Sequence, residues 1–167
     1  ANCNFLLLHV GTIHAPESNI ISTRNNEMRQ NITAGQNLLG ERVKYMECSQ
    51  HPSLYYYASD IFLLASAAEG YPPNTVNEAM AAGLPILSNR IAGSTDYISD
   101  NHNGFLYTGF DEFIFRFNLL ASNQDIRQQL GNNARLYAEK YLDVNLIAEN
   151  LLKFMDKSAA AHSRHSH

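Results

Sequence analysis

Ile61-Phe62-Leu63-Leu64-Ala65-Ser66-Ala67-Ala68-Glu69-Gly70-Tyr71-Pro72-Pro73-Asn74-Thr75-Val76-Asn77-Glu78 is the stretch that decides the fold. Ile61–Ser66 is almost wholly apolar and reads as a strand. Gly70 lets the backbone approach a ligand closely. Pro72 and Pro73 fix a rigid turn and discourage early helix. Asn74 reads as the N-cap of a helix over Asn74–Ala82, stopped by Gly83. The backbone N–H groups of Thr75, Val76 and Asn77 are then expected to be free beside the positive end of the helix dipole, a setting suited to phosphate. Val76, Ala79, Met80 and Gly83 share one face expected to pack on a sheet, with Glu78 projecting beside it within the first turn.

The same alternation runs outward from this stretch. Further strands are expected at Asn4–Val10, a buried one ending at Gly11, and at Arg42–Glu47, Pro85–Ser88 and Gly104–Thr108. Helices are expected at Asn25–Leu39, closed by Gly40, at His51–Ser59 with Pro52 in its first turn, and at Thr95–Ser99. Three more are expected at Phe110–Ala121, Asn123–Tyr141 and Asp143–Lys157. Thr12–Thr23 reads as irregular. Strands apolar on both sides, each followed by a helix, imply an α/β fold: a doubly wound, Rossmann-like parallel sheet flanked by helices. One domain is expected over residues 1–157. Residues 158–167 are expected to form a disordered tail rather than a metal site built from His162, His165 and His167. Ligands in such folds bind at the carboxyl ends of strands, so Gly11, Cys48 and Ser49 join the loop after Ser66 as candidates.

Composition narrows the function. The 167 residues are 45% hydrophobic and 17% charged, which suits a folded globule rather than disorder. Net charge is −4 with no long basic run, which argues against nucleic acid as a partner. Two cysteines, Cys3 and Cys48, are too few for a disulfide framework and point to a reducing, cytoplasmic setting. The apolar run Phe5–Val10 is far too short to span a bilayer. No signal peptide is visible, and a strand-like run starts almost at Ala1, so the chain reads as a piece of a longer protein.

Two carboxylates, Glu69 and Glu78, flank the phosphate-attracting helix start. Like charge keeps both from the phosphate itself. A carboxylate accepts well from two hydroxyls. A sugar diol and a ribose diol joined by a diphosphate make a nucleotide-sugar. The ordinary alternatives are a first-turn acid complementing the helix dipole for Glu78 and a solvated loop acid for Glu69.

Tyr57–Ser66, then Glu69-Gly70-Tyr71-Pro72, then Glu78-Ala79-Met80-Ala81-Ala82-Gly83-Leu84-Pro85-Ile86 closely resemble the donor-binding region of family-four retaining glycosyltransferases. Ala92-Gly93-Ser94 and Asn103-Gly104-Phe105-Leu106 look like the family's next landmarks. The resemblance covers roughly Phe5 to Tyr141 and implies the C-terminal half of a GT-B fold. It implies Glu69 on the donor-sugar hydroxyls, as the catalytic position, and Glu78 on the ribose. It sets the backbone of Gly70, Tyr71, Pro72, Pro73, Asn74, Thr75 and Val76 against sugar and diphosphate, and places the nucleobase slot near Cys48 and Ser49.

The implied reaction is retaining transfer of a sugar from a UDP- or GDP-sugar to an acceptor hydroxyl, in glycan or polysaccharide biosynthesis. The departing phosphate helps to deprotonate the acceptor, and no metal or other cofactor is needed. Two departures stand out. Eight residues separate the glutamates where the family has seven. The family's first strand and helix, with the Arg and Lys that clamp the diphosphate, are absent, as is the acceptor-binding domain. Any peripheral membrane association is expected through that missing domain. The alternatives are a non-catalytic nucleotide-sugar-binding module, half of a split enzyme needing a partner chain, or a sugar-nucleotide epimerase using His9 or His14. His9 reads first as a core residue of its strand, Tyr55-Tyr56-Tyr57 as helix packing, and Arg90 as a surface residue within reach of a phosphate.

Overall fold

The structure, a computed structural model, describes residues 5–10, 19–46, 49–66 and 73–164. The chain falls into two units, Ala1–Tyr55 and Tyr56–His167. Its strands form two parallel sheets, one of two strands and one of three.

In the first unit, β1 (Leu7–Val10) and β2 (Val43–Met46) pair in parallel from Leu7↔Val43 to Val10↔Met46. Helix α1 (Asn19–Leu39) connects them and runs into a 3-10 turn at Gly40–Arg42. Gly40 breaks the helix with φ +58°, a conformation that glycine adopts without steric penalty. Helix α1 begins at Asn19, inside the stretch expected to be irregular. No Gly or Pro stands between Asn19 and Gly35 to break it. The expectation that β1 is buried is corrected: Leu6, Leu7 and Val10 are exposed. Among the described residues β2 is its only ladder partner. His9 is exposed too, so the reading of it as a core residue is also corrected. It stacks instead on Tyr45 directly across the ladder, with ring centroids 5.5 Å apart.

In the second unit, β3 (Phe62–Leu64), β4 (Ile86–Asn89) and β5 (Gly104–Tyr107) pair in parallel in that order. Strand β4 is central, and Ile86, Leu87 and Ser88 are fully buried. Side chains alternate across the pleat and build a core on each face. Leu64, Ile86 and Leu106 pack with Val76, Ala79 and Met80 of α3 (Asn74–Ala81) and with Ala134 and Ala138 of α6 (Gln124–Tyr141). Leu87 and Phe105 pack on the other face with Leu120 of α5 (Phe110–Ser122) and Leu130 of α6. Helices on both faces of a parallel sheet are the doubly wound α/β arrangement. Two short helices complete the path: α2 (Ser53–Tyr57) before β3 and α4 (Ser94–Tyr97) between β4 and β5.

Caps follow the sequence closely. The Asn123 side chain accepts from the Ile126 N–H at 3.1 Å and starts α6. The Asp143 side chain accepts from the Asn145 N–H at 2.7 Å and starts α7 (Val144–Arg164). Helix α7 continues past the end expected at Lys157, so 158–164 are helical rather than frayed. Ala159, Ala160 and Ala161 are the best of helix formers, and no Gly or Pro interrupts them.

Candidate functional site

The carboxyl ends of β3 and β4 and the start of α3 form the candidate site. Pro73, at φ −60° and ψ 137°, is the last residue before helical geometry. It is therefore the N-cap, and Asn74 is the first helical residue, which corrects the expected cap. The Pro73 carbonyl accepts from the Val76 N–H at 2.9 Å and from the Asn77 N–H at 3.4 Å. Val76 and Asn77 thus do not offer the free amides expected of them. Proline has no side-chain acceptor, and no side chain caps α3. The amides of Asn74 and Thr75 are left without a partner among the described residues, at the positive end of the dipole. Both residues are exposed, while the Val76 side chain is fully buried.

The far end of α3 is fixed by backbone bonds. Gly83, at φ +78°, donates to the Met80 carbonyl, and Leu84 donates to the Ala79 carbonyl at 3.0 Å. This paired pattern satisfies the last carbonyls and turns the chain into β4. Val76, Ala79 and Met80 are buried as expected, which fixes the rotation of the helix about its axis.

Glu78 is exposed and lies beyond the first turn of α3, not within it. The Tyr56 hydroxyl donates to Glu78 Oε2 at 2.9 Å. Burial first, then this hydrogen bond and the carboxylate's charge, push the Tyr56 hydroxyl well above its ordinary range. It stays a protonated donor at every physiological pH. The Tyr56 ring packs against the core beside α3 and meets Phe62 at 6.1 Å. Tyr57 points out to solvent. Of the three tyrosines read together as packing, one thus holds a site carboxylate.

Asn89, at the end of β4, donates through Nδ2 to the Ser66 carbonyl just after β3. That contact ties the end of β4 to the chain just after β3. Asn89 Oδ1 and Asn77 Oδ1 are buried with no partner among the described residues. Ser49 lies in the first unit, where its hydroxyl accepts from the His51 N–H at 3.0 Å ahead of α2. Arg90 pairs with Asp100 at 3.5 Å on the surface. Glu69, Gly70, Tyr71, Pro72, Gly11, Cys48 and His14 lie outside the described residues. Of the expected site, the structure therefore places Pro73, Asn74, Thr75, Val76 and Glu78 in one unit and Ser49 in the other. Tyr56 and Asn89 were missed. The signal for Asn89 was its position at the carboxyl end of a buried strand, where a polar side chain stands out.

Among the described residues, no helix is long and apolar enough to cross a membrane. Over 119 residues the chain is 31% identical to spore coat protein SA of Bacillus subtilis, covering 70% of this chain and 31% of that protein. The crystal structure of Anabaena HepE in complex with UDP matches 92% of this chain and 41% of its own, with a TM-score of 0.75 at 22% identity. The crystallised C-terminal domain of a glycosyl transferase group 1 family protein from Francisella tularensis matches 76% of this chain and 66% of its own, with a TM-score of 0.61 at 20% identity. The chain thus spans about a third of the length of the curated relative it matches. These likenesses bear out the expected fold, the Rossmann-like half of a GT-B fold. Residues 24–137 match the model of the glycosyl transferases group 1 family, and the chain belongs to that family.

Proposed function

We propose that the chain is the donor-binding half of a retaining glycosyltransferase that moves a hexose from a UDP- or GDP-sugar to an acceptor hydroxyl without a metal cofactor. The observation that carries this reading is the opening of α3. A proline N-cap leaves the Asn74 and Thr75 amides open at the carboxyl end of the sheet, and Glu78 stands beyond them on the same helix. Open amides at a dipole's positive end suit a diphosphate, and an exposed carboxylate suits a diol. Anabaena HepE, of similar fold, is seen with UDP. Glu69 then meets the donor-sugar hydroxyls, Glu78 the ribose and Gly70 to Thr75 the diphosphate. Gly11, Cys48 and Ser49 belong to the donor side. The work of this half is positioning and charge stabilisation, with the diphosphate leaving group taking the acceptor proton.

Replacing Glu69 by Ala in the complete enzyme is expected to lower turnover at least 100-fold, as loss of a group that meets the reacting sugar does, at an unchanged melting temperature. Normal turnover in that variant removes Glu69 from the site. A melting-temperature panel of UDP-, GDP- and ADP-sugars names the donor, because a ligand bound by the native state raises the midpoint.

A second reading is a nucleotide-sugar-binding module or one half of a split enzyme in the cytoplasm. Transfer activity that appears only on mixing with a second chain selects it. The epimerase reading is set aside by the family assignment.

A further inference from the structure

We infer that Tyr56 is a positioning residue for nucleotide binding: its hydroxyl fixes the Glu78 carboxylate so that the opposite oxygen is held ready for the ribose hydroxyls of the donor. The inference rests on the assignment of Glu78 to the ribose.

Three observations carry it. The first is the bond itself, Tyr56 Oη to Glu78 Oε2 at 2.9 Å, which joins residues 22 apart in sequence. The second is the rigidity of both ends. The Tyr56 ring is half-buried against the core that contains Val76, Ala79 and Met80, and Phe62 backs it. Glu78 rises from α3 next to Ala79, which is buried in that same core. The third is what the bond leaves over. Glu78 Oε1 has no partner among the described residues, and the side chain is exposed.

An exposed glutamate normally samples several rotamers, and a ligand that needs one of them must freeze the rest. A hydroxyl anchored in the core selects a single rotamer before the ligand arrives. The ligand then meets an acceptor already in place, which strengthens binding by preorganisation. The tyrosine hydroxyl donates its one proton to Oε2. It therefore leaves the acceptor sites of Oε1 open to a diol.

This predicts a selective defect. In the complete protein, dissociation constants for UDP and for 2′,3′-dideoxy-UDP are measured by calorimetry on wild type, Tyr56→Phe, Glu78→Gln and the double variant. Tyr56→Phe keeps the ring packing and removes only the hydroxyl. It is expected to weaken UDP binding roughly 3- to 10-fold, the range for loss of one charge-assisted hydrogen bond and the order it imposes. It is expected to leave dideoxy-UDP within 2-fold of wild type. In the Glu78→Gln background the same change is expected to have little further effect, the mark of coupled residues.

The two readings fail separately. If Glu78→Gln leaves the preference for UDP over dideoxy-UDP unchanged, the ribose assignment of Glu78 falls and the inference with it. If Glu78→Gln abolishes that preference but Tyr56→Phe binds UDP like wild type, the ribose assignment stands and the positioning role is overturned. If Tyr56→Phe weakens both nucleotides equally, Tyr56 only supports the fold, and positioning is overturned. A wild-type protein that binds neither UDP nor GDP overturns the donor assignment on which all of this rests.

Discussion

Glu112 is the third residue of α5, and its carboxylate closes the entrance to that helix. The Thr108 N–H donates to Oε2 at 2.7 Å, while Arg116 Nε and Nη2 donate to Oε1 at 3.1 and 3.0 Å. The backbone bond first, then the Arg116 guanidinium, hold the carboxyl below the usual carboxylate range. Its folded pKa lies below its unfolded pKa. The stability it contributes is therefore present above the unfolded value and is lost as pH falls through the folded one. Glu112→Gln is expected to lower the urea midpoint at neutral pH, and the two proteins are expected to converge in acid once the wild-type carboxyl is protonated. A midpoint gap that persists undiminished in acid would show that lost packing, not charge, carries the difference. The chemistry at such single positions was partly legible in the sequence. Glu78 was marked by its helix and its motif. Tyr56 was not, because three consecutive tyrosines on a short helix give no sign of which one turns inward. Only the packing of α2 on Phe62 and the core decides that Tyr56 faces Glu78 and Tyr57 faces water.

The elements themselves followed from apolar runs and from Gly and Pro punctuation, because burial on both faces of a parallel sheet leaves strands almost uniformly apolar. The helix spans in the second unit match to within a residue or two, apart from α7. The misses have local causes. Asn19–Thr23 carries Asn, Ser and Thr, which favour turns on their own, but no Gly or Pro stands among them to stop a helix. The N-cap of α3 was placed on Asn74 because Asn is the better cap chemically, yet the extended geometry of Pro73 takes the position. The crossing of α3 with α6 was not legible at all. It depends on Gly131, where an added Cβ would overlap the Gly83 carbonyl oxygen and crowd the Gly83 carbonyl carbon at 3.1 Å. Helix α6 therefore touches the end of α3 backbone to backbone. Gly131→Ala raises helix propensity but forces the two helices apart, and overpacking of this kind costs about 1–3 kcal/mol, more than propensity returns. A lower denaturation midpoint with an unchanged m-value is the expected result. A midpoint at or above wild type would mean that α6 can shift without loss, and the close crossing would not matter for stability.

At the scale of the molecule, the sequence conveyed the fold family and the sheet's parallel sense but not how much of its apolar surface stays open. Helix α7 leaves Val144, Ile147, Leu151 and Met155 exposed, with Leu152 and Phe154 beside them. The first four recur at helical spacing and lie along one stripe. Such a stripe on an isolated chain is an association liability. It also contributes little to the stability of this chain, because side chains that stay about half or more in water on folding gain little transfer energy. These two consequences separate in one experiment. Leu151→Lys together with Met155→Lys is expected to leave the melting temperature of the 167-residue chain within about 2 °C, the range for surface substitutions. The same pair is expected to reduce self-association by sedimentation and to lower the binding of an apolar dye. In a complete protein, any cover laid over the stripe makes the same substitutions destabilising, by roughly 1.5–3 kcal/mol for each large apolar side chain returned to water. A clear fall in the melting temperature of the short chain would show that α7 already packs on its own unit. The exposed stripe would then be no part of how the molecule meets the rest of its protein.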